Sequence, residues 1–363
     1  MIDIAFYRKF HELTDSLEVG TEYSLDYMYE RLESIRSADP VIYNIETTNR
    51  CNMRCKMCPR TTMMTRNNED IKWDTFVNVV NQISPHSEEE WGKWKLFCEK
   101  TYGIHEDVNL EKGISGEMSE NHFFLYVIPK VIQLHGYGDP LLDLHMAEYV
   151  RILHDRGFYS YFSCNPSNID LHRTYEMLDS GLDYIKYSIE SVDDAEHKAI
   201  RGEASNFSES YRKIQEVLRY KENHNLKTTV VITMLDLNRK HQRDDFDKLL
   251  EAFKDCDVYI YLKSEDCQWY RKDYHGTMSI HWTEICKHPW MTMTIKSDGM
   301  ATMCMEDYNN EIILGDTNKQ SLKEIWDGEP YRIFRKQHLV AKDRIKCVDE
   351  CDMKLMGDYY NIN

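Results

Sequence analysis

The chain has 363 residues, 42% of them hydrophobic, and a formal net charge of −17 at pH 7. This length suits one large domain plus a smaller one. The acidic charge disfavours nucleic acid and anionic lipid surfaces as general partners, although a local basic pocket for a small anion stays open. The longest apolar run, residues 123–134, is too short to span a bilayer, and the N-terminus carries no secretory signal. We therefore expect a cytoplasmic protein whose 11 cysteines are metal ligands and buried thiols rather than disulfides.

The first third of the chain changes character three times. Helical spacing over residues 1–40 predicts a short helical preface, and β-branched residues at 41–48 predict a strand that leads into a cysteine-rich loop. A helix is expected over residues 72–83. Residues 84–128, rich in polar residues with scattered tryptophans, indicate an insertion that serves as a lid or a partner surface.

Strand-like runs then alternate with helix-like runs. The further strand candidates are residues 131–135, 158–164, 184–190, 228–234 and 257–263. Together with the first strand they make six βα units, and such alternation predicts an α/β fold with a parallel sheet. We favour a curled, partial (β/α)6 barrel over an open doubly wound sheet, which periodicity does not exclude. In either fold the active site lies at the C-terminal ends of the strands.

The C-terminal part differs again. Two alternating runs are joined at Asp298–Gly299, a strong signal for a β-hairpin, and a helix follows before Cys347 and Cys351. The predicted organisation is a preface at 1–40, an α/β domain at 41–270 that carries the insertion, and a small C-terminal domain at 271–363.

Cys51, Cys55 and Cys58 follow the first strand with the spacing C-x-x-x-C-x-x-C. Three soft ligands in a polar loop indicate a metal site, either zinc completed by a remote ligand or an iron–sulfur cluster. The loop also carries four basic residues that offset the negative charge of a thiolate-ligated cluster: Arg50, Arg54, Lys56 and Arg60. A cubane held by three cysteines leaves one iron open for an outside ligand.

A strand followed by C-x-x-x-C-x-x-C resembles the radical S-adenosylmethionine (radical SAM) enzymes. The resemblance implies a [4Fe–4S] cluster on Cys51, Cys55 and Cys58 whose fourth iron binds the amine and carboxylate of SAM. In that family one electron cleaves SAM and releases a 5′-deoxyadenosyl radical, so the cofactor carries the difficult chemistry.

Further segments extend the resemblance. The stretch HGYGDP resembles the family's Gly-Gly-Glu-Pro segment, which implies contacts from Gly136, Gly138 and Asp139 to the SAM amine. Here Tyr137 splits the glycines and Asp replaces Glu, a shorter side chain that favours a backbone contact.

The stretch from Tyr187 to Gly202 is similar to the family's Ser-Leu-Asp…Arg-Gly segment. It implies that Ser188 hydrogen-bonds SAM and that Arg201 pairs with the SAM carboxylate. Met57 stands where the family has an aromatic residue that touches adenine, and residues 232–234 are expected to line the adenine pocket.

A second cysteine set lies near the C-terminus. Its members are Cys286, Cys304, Cys347 and Cys351. The pattern resembles the twitch form of the SPASM domain, which implies an auxiliary [4Fe–4S] cluster ligated by all four cysteines. A structural zinc ribbon is the alternative. The other cysteines are interpreted as ordinary thiols: Cys98, Cys164, Cys256 and Cys267.

The resemblance implies a radical SAM oxidoreductase that takes hydrogen from a small polar substrate, such as a sugar or amino-sugar, with the auxiliary cluster accepting an electron. A flavodoxin or ferredoxin is the expected electron donor. Two alternatives stay open, namely a peptide- or protein-modifying maturase and a non-catalytic metal-binding scaffold. The catalytic base is not identified; four side chains near strand ends or cluster motifs are candidates, each expected to be structural: His135, Tyr137, Glu190 and Asp307.

Overall fold

The computed structural model describes residues 1–18, 21–106, 117–263, 285–340, 347 and 361–362. The α-helices are α1 (Ile4–Asp15), α2 (Leu25–Ile35), α3 (Pro59–Thr62), α4 (Trp73–Asn81), α5 (Glu88–Tyr102), α6 (Glu117–His122), α7 (Met146–Asp155), α8 (Leu171–Asp179), α9 (Asp194–Arg201), α10 (Phe207–Asn223), α11 (Gln242–Ala252), α12 (His288–Met291), α13 (Leu322–Trp326) and α14 (Glu329–Val340). The strands are β1 (Glu22–Tyr23), β2 (Val41–Ile45), β3 (Val131–Gln133), β4 (Tyr159–Cys164), β5 (Tyr184–Ser188), β6 (Thr229–Leu235), β7 (Tyr259–Lys263), β8 (Thr292–Ile295), β9 (Met300–Thr302), β10 (Gly315–Asp316) and β11 (Asn361–Ile362). Short π and 3-10 turns occupy Phe123–Val127, Pro140–Leu142 and Pro166–Asn168.

The six predicted strands form the centre of one sheet. Strands β2 to β7 are neighbours in chain order and all pair in parallel. Helices connect most of these strands, as parallel pairing requires of a crossover. The α/β class with a parallel sheet is therefore confirmed, and the sheet is open because β7 and β10 lie at its two edges.

The sheet curls around an aromatic plug. The ring of Phe123 contacts the ring of Tyr161 on β4 at 5.5 Å and that of Tyr261 on β7 at 5.6 Å, although two strands lie between them. Val131 and Tyr259 belong to the same buried cluster. This inner cluster is separate from the larger core that joins the outer face of the sheet to the helices, as expected of a partial barrel.

The predicted C-terminal hairpin is present and extends the barrel sheet. Strand β8 pairs in parallel with β2 along Val41–Ile45, and β9 pairs antiparallel with β8. Gly299 lies in the turn with φ +83°, a left-handed conformation that favours glycine. The hairpin therefore brings the C-terminal segment alongside the strand that leads into the cysteine loop.

The preface and the insertion share a second core. Phe6 of α1 and Met28 of α2 pack in one cluster with Trp91 and Trp94 of α5 and with Trp290 of the C-terminal segment. Helix α5 begins with a Ser87–Glu90 capping box and ends at Gly103 in the left-handed region. The described part of the insertion thus packs against both ends of the chain.

Among the described residues, no helix combines the length and the apolar content that crossing a bilayer requires.

We predict that Trp94→Ala lowers the free energy of unfolding by about 3–5 kcal/mol, as expected when a large aromatic side chain leaves a cavity. Trp94 is 1% exposed and its indole N–H donates to the Leu125 carbonyl at 2.6 Å. Leu96→Ala on the same helix is the matched control, since Leu96 is 51% exposed. Urea unfolding measures both variants, and equal losses would contradict the second core.

Candidate functional site

Hydrogen bonds hold the backbone between the end of β2 and the first cysteine of the loop. The Asn49 side chain accepts from the Glu69 N–H at 2.8 Å and donates to the Asn67 carbonyl at 2.7 Å. The Asp139 N–H donates to the Arg50 carbonyl at 2.8 Å, which ties the loop to the glycine segment after β3. These bonds fix the start of the loop before the first cysteine.

The loop then docks on the C-terminal end of α9. The Arg54 N–H donates to the Arg201 carbonyl and the Lys56 N–H to the Ile200 carbonyl, both at 2.9 Å. Gly202 follows with φ +98°, and a Cβ there would lie 3.0 Å from Arg54. Cys55, between the two donors, is therefore held against Arg201.

The three thiols lie close enough to influence one another. Burial, then the charge of Asp139, raises the pKa of Cys51 to about 11. Burial, with Cys55 and Cys51 adding to it, raises that of Cys58 to about 12. Burial also raises the pKa of Cys55, and Arg201 opposes that shift. Metal binding would ionise these thiols, because a metal ion binds the thiolate form.

The positive charge beside the thiols does not come from the loop alone, since both Arg60 and Arg201 act on them. Arg50 pairs with Asp70 through two bonds of 2.8 and 2.6 Å, and Arg54 donates to the Met53 carbonyl. Arg201, some 150 positions along the chain, donates instead to the Cys55 sulfur at 3.8 Å. Arg201 therefore adds a cation from outside the loop to the basic residues that the sequence pattern indicated.

No three His, Cys, Asp or Glu side chains within the described ranges are grouped as ligands of a single metal ion. A cubane spreads its thiolates over separate irons, so its ligands lie farther apart than those of one zinc ion.

Arg201 has a further unfilled hydrogen-bonding position. Its Nη2 pairs with Glu190 at 2.5 Å, while its buried Nε has no acceptor among the described residues. Glu190 also accepts from the Leu235 N–H at 2.8 Å, and Arg239 donates to the Glu190 carbonyl. Glu190, a candidate base, therefore holds the Arg201 side chain in position. A buried guanidinium N–H without a partner fits a carboxylate ligand such as that of SAM.

The glycine segment packs directly on the cysteine loop. A Cβ on Gly136 would lie 2.5 Å from the Glu46 side chain, and one on Gly138 would overlap the Thr48 carbonyl. The Asp139 carboxylate accepts from the Leu141 and Asn165 N–H groups and from Asn168. Burial raises the pKa of Asp139 and these three donors lower it. Its side chain joins the ends of β3 and β4, so the backbone of this segment is the better candidate for a SAM contact.

The remaining predicted SAM contacts lie at the same end of the sheet. Ser188 is the last residue of β5 and pairs with Thr233 of β6. Both belong to the alternate positions that face the inside of the barrel. Met57 is half-buried within the loop. Ile232 and Met234, expected at the adenine pocket, instead belong to the core between sheet and helices, so within residues 232–234 only Thr233 remains a candidate for that pocket.

Glu46 is a residue of the site that sequence reasoning missed. It follows β2 and is fully buried. Arg66 Nη2 donates to Glu46 Oε1 at 2.8 Å, and Arg66 Nη1 lies 2.8 Å from Oε2 as an ion-pair contact. It also accepts from the Tyr137 N–H and from the N–H and hydroxyl of Ser297, each at 3.1 Å. Burial alone would raise the pKa of Glu46, but Arg66 and Lys296 hold it at about 2. No local signal marks this ionised carboxylate, since its partners come from three distant segments.

The second cysteine set is described in part. Cys286 and Cys304 are half-buried, Cys347 is buried, and Cys351 lies outside the described residues, as does Cys267. The Cys347 sulfur lies 3.9 Å from Nδ1 of His338. Burial raises the pKa of Cys286.

Two of the candidate bases, Tyr137 and Asp307, form hydrogen bonds close to Cys304 in the chain. The Tyr137 hydroxyl donates to Glu306 at 2.7 Å, which links the glycine segment to the neighbourhood of Cys304. Asp307 accepts from the Glu311 and Ile312 N–H groups at 2.8 Å and so shapes the turn.

Two family models match the chain. The Radical SAM superfamily matches residues 126–258, and the SPASM iron–sulfur cluster-binding domain matches residues 286–353. The first match begins beyond the cysteine loop, so the loop and the match are separate observations. The second contains all four cysteines of the C-terminal set.

Relatives and solved structures agree with these matches. The chain is 24% identical over 225 residues to the S-adenosyl-L-methionine-dependent tRNA 4-demethylwyosine synthase of Methanocaldococcus jannaschii, covering 61% of this chain and 67% of that protein. SuiB of Streptococcus suis, bound to S-adenosylmethionine, has a TM-score of 0.54 at 11% identity and covers 94% of this chain and 83% of its own. The structure of anSMEcpe with bound AdoMet has a TM-score of 0.52 at 12% identity and covers 89% of both chains. At these identities the two structures show a shared fold.

We predict that Gly138→Ala lowers iron loading after anaerobic reconstitution, because the added methyl group would displace the Thr48 carbonyl and the loop behind it. Wild-type protein should hold about eight irons, as two four-iron cubanes require, and the variant should fall towards about four. Gly92→Ala is the control, since a Cβ there meets nothing within 4 Å. Full loading of Gly138→Ala would contradict the close packing.

We further predict that Glu46 stabilises the fold above about pH 4.5, its ordinary pKa, and that this stability disappears as pH falls towards 2. The group's pKa is depressed in the folded protein, so the unfolded chain binds the proton first and acid favours unfolding. A depression of this size corresponds to about 3 kcal/mol. Glu46→Gln should unfold at lower urea concentration at pH 7 and show a shallower pH dependence. Glu148→Gln, at an exposed position, is the control and should match wild type.

Proposed function

Because the chain belongs to the radical SAM superfamily and carries a C-terminal SPASM domain, we propose that it is an oxidoreductase acting on a small polar substrate. As a radical SAM enzyme with a SPASM domain it uses SAM and [4Fe–4S] clusters, including an auxiliary cluster. Once bound, SAM and its cluster supply a 5′-deoxyadenosyl radical, which takes a hydrogen atom from the substrate. The auxiliary cluster supplies an acceptor for the electron that remains.

We assign the SAM-binding cluster to Cys51, Cys55 and Cys58. Their soft donor atoms, their electrostatic influence on one another and the backbone anchorage of the loop after β2 support the assignment. Three cysteine ligands leave the fourth iron of the cluster without a protein ligand, and SAM binding requires such an open iron. The auxiliary cluster is assigned to Cys286, Cys304, Cys347 and Cys351, all within the matched SPASM segment.

The observation that carries the proposal is the geometry of Arg201. Its guanidinium reaches the Cys55 sulfur at 3.8 Å, is braced by Glu190, and has a buried Nε–H with no acceptor in the described part of the chain. A cation beside a thiolate cluster, with one donor left over, suits the carboxylate of SAM. We assign the SAM amine to the backbone of Gly136, Gly138 and Asp139, and further contacts to Ser188 and Met57.

A small polar substrate is supported by the inner wall of the barrel. Phe123, Val127 and Ile128 close its lower part with apolar side chains. Above them the register brings Ser163, Lys186 and the pair Ser188–Thr233 to the inner face. Polar side chains on this wall suit a small polar molecule. A flavodoxin or ferredoxin stays our prediction for the electron donor.

The alternatives receive less support from this chain. SuiB has been solved with its precursor peptide SuiA, and a peptide or protein substrate is the runner-up. In our chain, however, preface helices α1 and α2 are packed into the second core with α5. One relative is named as a tRNA 4-demethylwyosine synthase, which makes tRNA a further candidate substrate. The net charge of −17 disfavours tRNA binding by this chain. A non-catalytic scaffold would not need the arrangement around Arg201.

We predict that anaerobically reconstituted protein with SAM and a strong reductant forms 5′-deoxyadenosine, and that Cys55→Ala abolishes this activity because the cluster loses a ligand. Chromatography of the products measures it. Cys256→Ala is the matched control, since Cys256 is half-buried, precedes β7 and contacts Gln215 of α10 rather than the cysteine loop. Iron-loaded wild type that never cleaves SAM, with or without candidate substrates, would overturn the enzymatic proposal.

A further inference from the structure

The cysteine loop concentrates positive charge within an acidic chain. Residues 47–68 contain five arginine and lysine residues and no aspartate or glutamate, whereas the whole chain has a net charge of −17. Two of the five are compensated by carboxylates from outside this stretch, since Arg50 pairs with Asp70 and Arg66 with Glu46. The loop therefore keeps an excess of positive charge.

Two exposed cations of the loop flank one of its cysteines. Arg54 and Lys56 are exposed, whereas Cys55 between them is 8% exposed. The cations therefore lie on the solvent side of this segment and the thiol on its inner side. Neither cation forms a salt bridge with the part of the chain that the structure describes. By comparison, Lys93 and Arg243 each pair with a carboxylate one helical turn away.

A third cation extends this surface onto α9. Lys198 is half-buried in the last turn of that helix and has no carboxylate partner among the described residues. The same turn receives the loop, because the Lys56 N–H donates to the Ile200 carbonyl at 2.9 Å. The Cys55 carbonyl accepts from the Thr61 hydroxyl at 2.8 Å, which also holds the loop backbone. We call this preorganised surface the cationic face, and its members are Arg54, Lys56 and Lys198.

Charge determines which kind of partner fits the cationic face. A net charge of −17 repels an acidic protein from most of the molecule, so such a protein docks only where cations are uncompensated. Complementary charges of this kind speed association and orient the partner more than they raise affinity. Small, weak interfaces with these properties are typical of electron-transfer encounters.

The position of the cationic face determines what the partner delivers. One peptide bond joins Lys56 to Cys55, so a redox centre docked on this face lies close to a cluster held by the loop cysteines. Each cleavage of SAM requires one electron. The docked carrier loses that electron and the cluster gains it. The electron is consumed when the C5′–S bond of SAM breaks to give methionine and the 5′-deoxyadenosyl radical.

We propose that the cationic face is the docking surface for a small acidic protein that carries one electron at a time. The inference rests on the proposed function, because it needs a reducible cluster in the cysteine loop. It adds to that function the surface through which the electron enters. The cations of the loop therefore select and orient the carrier as well as offset the charge of the cluster.

The test compares protein donors with a small donor. Anaerobic holoenzyme with SAM is driven by reduced flavodoxin or by reduced ferredoxin, two acidic carriers, at sub-saturating concentration. The same preparation is driven by reduced methyl viologen, a small cation that needs no docking surface. The rate of 5′-deoxyadenosine formation with each carrier is divided by the rate with methyl viologen, so that differences in cluster content cancel.

Charge removal locates the docking surface. Lys56→Gln/Lys198→Gln should lower the normalised rate about 3- to 10-fold, the effect of losing two ion pairs at a protein surface. Added salt should remove most of the difference from wild type, because it screens exposed charges. Lys93→Gln/Lys254→Gln is the matched control with the same change in net charge. Its lysines are 54% and 58% exposed, on α5 and after α11.

The inference is wrong if neither carrier drives 5′-deoxyadenosine formation while methyl viologen does, or if the two double variants have equal normalised rates. It is also wrong if the carrier and methyl viologen rates of Lys56→Gln/Lys198→Gln fall together, since the cations would then act on the cluster alone. If that variant fails to load iron, Lys198→Gln against Lys93→Gln decides. Failure of the proposed function would differ, as iron-loaded wild type that forms no 5′-deoxyadenosine even with methyl viologen.

Discussion

The site depends on one buried ion pair, Glu46 with Arg66. Glu46 stands where β2 ends and the cysteine loop begins, and its two oxygens accept from Arg66, from the backbone of Tyr137 and from Ser297. Arg66 follows the cysteine loop, Tyr137 belongs to the glycine segment and Ser297 to the C-terminal hairpin. A buried carboxylate without them would be very costly, so the three segments must assemble together. The free-energy cost of burying the Glu46 carboxylate therefore constrains where both cysteine sets lie.

Backbone contacts carry this constraint to the cluster loop. Gly138 allows the glycine segment to lie against Thr48, and α9 receives the loop through the carbonyls of Ile200 and Arg201. The same helix end presents the Arg201 side chain to Cys55. Cysteines and cation are therefore positioned by neighbouring atoms of one structural unit, which favours a preorganised cofactor site.

Much of the fold was predictable because its signals are local. The six strands of the parallel sheet were located to within three residues at each end, since β-branched and aromatic runs alternate clearly with amphipathic helices. The Asp298–Gly299 hairpin followed from turn chemistry. Its pairing with β2 was not predictable, because strand partners across 250 residues leave no local pattern. Burial of Trp94 in a second core was missed for the same reason, as was the role of Glu46. At the candidate site, the cysteine loop and the glycine segment that the sequence singled out lie in contact, whereas the contact of Arg201 with Cys55 joins positions too far apart in the chain to leave a local pattern.

The central claim is that Cys51, Cys55 and Cys58 hold a cluster with one iron open to SAM. Electron paramagnetic resonance of a reduced Cys286→Ala/Cys304→Ala variant, which retains only that cluster, tests it directly. We predict a reduced-cluster spectrum whose g-values shift when SAM is added, because SAM becomes a ligand of the open iron. A cluster signal that SAM leaves unchanged, or the absence of any cluster signal from this variant, would contradict the account.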